Sequence, residues 1–98
     1  MGHEEIIELV VMAYRSGRYQ FTAADILSDT RKAYIVEARQ VCMLLIRKSG
    51  YTHTATARCL RRSCHDSCIR GIESITQKIK NGKSLAVFVE EMKRKVGL

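Results

Sequence analysis

Apolar residues recur along this chain at spacings of three and four, the period of helices that bury one face. Ile6, Ile7, Val10, Val11 and Tyr14 mark a first helix over about Glu4–Tyr14, ended by Ser16-Gly17. Thr22 is placed to cap a short helix over Ala23–Leu27, followed by the polar stretch Ser28-Asp29-Thr30-Arg31-Lys32. Ile35, Ala38, Val41, Cys42, Leu45 and Ile46 predict a long helix from about Tyr34 to Lys48, stopped by Ser49-Gly50. Thr52 then caps a brief helix that ends near Leu60. Arg61-Arg62-Ser63 reads as a turn, after which Ser63 and Asp66 form an S-x-x-D capping pattern for the next helix. Cys68, Ile69, Ile72, Ile75 and Ile79 are that helix's expected buried stripe, and Asn81-Gly82 closes it. A last helix turns Leu85, Phe88, Val89, Met92 and Val96 inward. The expectation is an all-α bundle of about six helices in a single domain, residues 1–98.

Charge sharpens this picture. Residues 1–30 carry two basic and five acidic side chains, net −3, whereas residues 31–98 carry fifteen against five, net +10. Such asymmetry points to a polyanionic partner, the plainer alternative being lysines and arginines that solvate helix faces. A short helix, a tight turn and a longer helix with a polar start, set among Arg58, Arg61, Arg62 and Arg70, is the pattern of a helix-turn-helix, in which Arg61, Arg62 and Arg70 are expected DNA contacts. With no run of about eighteen apolar residues no membrane span is expected, and without a glycine-rich phosphate loop no nucleotide. The polar, acidic start is unlike a secretory signal, which leads to the expectation of a cytoplasmic, nucleoid-associated protein with reduced thiols.

Three separated blocks carry a resemblance. Ala24-Asp25-Ile26-Leu27-Ser28, Ala38-Arg39-Gln40-Val41-Cys42-Met43-Leu44-Leu45 and Cys64-His65-Asp66-Ser67-Cys68-Ile69-Arg70-Gly71 keep order and spacing. Together the chain resembles the C-terminal DNA-binding domain of the bacterial replication initiator DnaA. The blocks look like that family's A-D-L-L-S, its R-Q-x-A-M-x-L helix and its D-H-T-T-V-x-H-A signature. The resemblance implies that Arg31, with Lys32 in the same basic loop, enters the minor groove, and that Arg39 contacts DNA beside it. It implies that Thr52, His53 and Thr54 grip phosphate. It also implies that His65 and Ser67 stand at the start of a recognition helix, about residues 64–80, in the major groove.

Several positions differ from the family signature. Cys64 replaces the signature aspartate and lacks an acceptor for a cytosine amino group, while Asp66 replaces a threonine, removing a methyl that suits thymine and adding an acceptor that could read cytosine instead. Asp66 has the alternative role of a helix cap, His65 that of a partly buried helix-start residue, and Arg31 and Arg39 those of solvated surface charges. Cys59, Cys64, His65 and Cys68 make a C-x4-C-H-x2-C spacing that invites zinc, yet it lacks the usual close cysteine pairs, so no metal is expected. No nucleophile with an orienting base is evident, and no enzyme or cofactor is expected. The resulting expectation is a small regulator, monomer or weak dimer, that binds specific double-stranded DNA. A protein-interaction module that kept the fold but lost DNA is the alternative.

Overall fold

A computed structural model describes all 98 residues and is entirely helical. The elements are α1 (His3–Arg15), α2 (Ala23–Leu27), α3 (Ala33–Lys48), α4 (His53–Cys59), α5 (His65–Asn81) and α6 (Lys83–Val96). Its radius of gyration, 12.1 Å, is that of a close-packed chain of this length. No helix is long and apolar enough to cross a membrane.

The architecture follows from α3. Val41 to Ile46 are all buried, an unbroken run that buries the helix on every side instead of along one stripe. All five other helices accordingly pack against it. α1 contributes Ile6, Ile7, Val10, Val11 and Tyr14 to the resulting core, as its spacing predicts. On α6, Val89 and Met92 are fully buried, and Leu85, Phe88 and Val96 pack against the same core. These side chains are therefore already engaged within the chain.

α5 departs from its expected stripe. Cys68, Gly71 and Ile75 form the fully buried line, whereas Ile69, Ile72 and Ile79 are half-buried. Gly71 explains the rotation, because a Cβ there would run into the Met43 thioether of α3. The missing side chain lets the two helices approach closely.

Candidate nucleic-acid interface

Two five-residue connections meet beside the start of α5. Ser28–Lys32 joins α2 to α3, and Leu60–Cys64 joins α4 to α5. The second is longer than the three-residue turn read from sequence. Its shape comes from its own backbone. The Arg61 amide donates to the Arg58 carbonyl at 3.0 Å and the Arg62 amide to the Ala57 carbonyl at 2.8 Å, which is a Schellman closure of α4. That closure places Arg61 at φ 57°, the left-handed region glycine usually occupies.

The expected capping box at Ser63 and Asp66 does not form. The N-cap is Cys64, in an extended conformation and without a side-chain hydrogen bond, so Ser67 and not Asp66 stands at the third helical position. Asp66 is left exposed, 3.5 Å from the His65 ring, a contact that counts as ionic only when the imidazole is protonated. His65 is exposed too, which removes its reading as a partly buried histidine. Both side chains stand free at the first turn of α5.

Arg39 is the largest correction. It is not a solvated surface charge, for only 6% of it is exposed. Its Nε donates to the Ile26 carbonyl at 2.8 Å, and Nη2 donates toward the carbonyls of Ser28 (3.0 Å), Thr30 (3.2 Å) and Asp25 (3.3 Å). Burial, and then the neighbouring Arg62, lower its pKa below the ordinary arginine value. Arg62 reaches the same segment from the other side. It donates to Ser28 at 2.6 Å and Leu27 at 3.2 Å, braces its own turn through Leu60 at 3.0 Å, and lies 3.8 Å from Asp29. Two guanidinium groups thus converge on one backbone oxygen, that of Ser28. Carbonyl dipoles and Asp29 offset their repulsion.

The loop so held forms one wall of a hollow of about 370 Å³. Arg31 from the loop, Arg39 and Gln40 from α3, Arg62 from the turn, and Ser67 and Arg70 from α5 all line it. Arg31 and Arg70 are exposed, so their charges face outward. The buried Gln40 Oε1 has no hydrogen-bond partner, although it borders this hollow. Five of the expected contact residues are therefore gathered in one place: Arg31, Arg39, Arg62, Ser67 and Arg70. Arg61 is not among them. It lines a separate hollow of about 430 Å³ with His3, Glu4 and Glu8 of α1. Lys32, the N-cap of α3, is exposed outside the arginine hollow.

At the start of α4, Thr52 behaves as its sequence predicts, accepting from the Ala55 amide at 3.0 Å. His53 is half-buried and Thr54 exposed. Their amides head the helix where no preceding turn supplies an acceptor.

Sequence reasoning missed the inward roles of Arg39 and Arg62. For Arg39 a signal exists: Ile35, Arg39, Cys42 and Ile46 fall at spacings of four, three and four, one helix face, of which the other three members are core. The zinc spacing is not realised as a cluster, since no three His, Cys, Asp or Glu side chains come close enough to share a metal ion. Cys68 is buried, Cys59 half-buried and Cys64 exposed. Burial raises the pKa of Cys68 and Cys59, and pushes Cys42, enclosed in α3, up to about 12. No family model, curated protein or solved structure matches this chain.

Proposed function

We propose that this chain binds double-stranded DNA, with the first turn of α5 in the major groove and the Ser28–Lys32 loop toward the adjacent minor groove. The observation that carries this reading is the arginine-lined hollow, where Arg31 and Arg70 present charge from a loop and a helix whose spacing two further arginines fix. Charges held on rigid backbone suit phosphate contact, because little entropy is lost on binding. The uncapped start of α5, with His65, Asp66 and Ser67 at its first turn, supplies donors and an acceptor for base edges. The resemblance of three blocks to the DnaA C-terminal domain supports the same docking and a role as a regulator of replication or transcription.

Fluorescence anisotropy with a DnaA-box duplex, a scrambled duplex and a randomised pool, across a salt series, tests the reading. The expected result is binding that weakens steeply with salt, by roughly 0.9 in logarithmic slope for each phosphate contact. Preference for the box over the scramble assigns the site; equal binding assigns another, to be selected from the pool. Failure to bind any duplex at low salt overturns the proposal in favour of a protein-interaction module.

A further inference from the structure

A second hollow lies between α1, α3 and α6 and shares no residue with the arginine-lined one. It is an open depression of about 370 Å³, within the size range of small-molecule sites, and is lined chiefly by Tyr14, Tyr19, Phe88, Leu85 and Glu37. Its rings are set at steep angles to one another. Tyr14 and Phe88 meet at 80° with centroids 5.2 Å apart, and Tyr19 leans on Tyr14 at 50° and 5.9 Å. Tyr19 is 42% exposed yet not loose, because Tyr34, half-buried against the core, stacks on it at 4.7 Å and 22°. The walls are therefore preformed.

Glu37 is the only charged group in that lining. Its Oε2 accepts from the Tyr14 hydroxyl at 2.7 Å. Burial first, and then that hydrogen bond, raise the phenol's pKa above its ordinary range, so the hydroxyl remains a donor. Yet no Lys, Arg or His forms an ion pair with Glu37, although cations outnumber acids seventeen to ten in the chain. Lys78 of α5 shares a neighbouring hollow with Glu37 but makes no ion pair with it, so the half-buried carboxylate, with one neutral donor, is incompletely compensated. Aromatic faces at steep angles around an unpaired carboxylate are the chemistry that holds an organic cation, each face attracting the charge within about 6 Å of its centroid.

We propose that this hollow binds a small alkylammonium ion, its charged head against Glu37 and its alkyl groups on the accessible faces of Tyr19 and Phe88, with the buried Tyr14 ring as the floor behind them. The site is independent of DNA binding and stands or falls by itself.

Amide correlation NMR, titrating choline and tetramethylammonium against salt-matched sodium chloride, tests it. Saturable shifts confined to the neighbourhood of Tyr14, Tyr19, Glu37 and Phe88, with a Kd of roughly 1 mM or tighter, are expected. The neutral isostere of choline, with a tert-butyl group in place of trimethylammonium, should bind at least about tenfold more weakly. Glu37→Gln keeps an acceptor for the Tyr14 hydroxyl but loses the charge, and should weaken choline binding by about fivefold or more. Tyr19→Leu removes one exposed wall without opening the core and should do the same. Absence of saturation, equal affinity for the neutral isostere, or unchanged binding in Glu37→Gln would each overturn the proposal.

Discussion

The two connections that flank the start of α5 have the same length and opposite means of support. Leu60–Cys64 is closed by its own backbone through the Schellman hydrogen bonds of Arg61 and Arg62. Ser28–Lys32 has one local tie between its own residues, from the Thr30 amide to the Ser28 hydroxyl. Its first residue also ties back to α2, the Ser28 amide and hydroxyl both donating to the Asp25 carbonyl; the rest of its support comes from side chains in distant parts of the chain, Arg39 nine and eleven residues away and Arg62 thirty-four. A turn of the first kind withstands changes elsewhere. A loop of the second kind transmits them, so the shape of the proposed minor-groove element depends on residues that touch no ligand.

The sharpest way to break that contrast is Arg39→Ala. It strips donors from four carbonyls at the buried base of the loop, and should lower unfolding free energy in urea by about 3 kcal/mol. DNA affinity should fall as well, measured at a temperature where the variant is folded. Lysine at this position keeps the charge but not the fork of donors, and should recover only part of either loss. Full retention of stability in Arg39→Ala would refute the support assigned to it.

Arg31→Ala combined with Arg70→Ala should do the converse. Both side chains are exposed, so stability should change by less than about 0.5 kcal/mol. Under the DNA reading, affinity should drop at least about tenfold and the salt slope should shrink by roughly 1.8, the share of two phosphate contacts. Thr52→Ala removes the cap on α4 and should cost about 1 kcal/mol in thermal or urea unfolding.

The smallest effect belongs to the locally closed turn. Arg61→Gly relieves a left-handed φ while adding backbone freedom to the unfolded chain, and should stabilise by no more than about 1 kcal/mol. Because Arg61 faces α1 and not the arginine hollow, DNA affinity should fall less than for Arg31→Ala. A larger loss than at Arg31 would move the docking surface toward α1.

The same contrast accounts for what was legible in the sequence. Helix positions follow from local spacing, so the six helices are readable to within a residue or two from Ile6 to Met92. The N-cap of α4 is readable for the same reason, Thr52 acting on a residue three positions away. The pattern fails where the partner lies far along the chain. Ser63-x-x-Asp66 satisfies the local rule for a capping box, but Arg62 is tied to Leu27 and Ser28, and the helix begins at His65 with Cys64 at its cap. Arg39 reads as a surface charge because arginine usually is one; only the core identity of Ile35, Cys42 and Ile46 on its face argues otherwise. Gly71 turns α5 for a reason that resides in Met43 of another helix.

The central position of α3 has a consequence for motion. Each of the other five helices packs against it, α4 and α6 resting on α5 as well, so their separation disturbs the cover over Val41–Ile46. Opening of any large part of the molecule therefore coincides with opening of the whole, and the chain should unfold in a single cooperative step. Hydrogen exchange would register this as one shared, slowest class of amides along the middle of α3. The loop amides of Asp29 and Arg31 should exchange orders of magnitude sooner through local fluctuations that leave that helix intact.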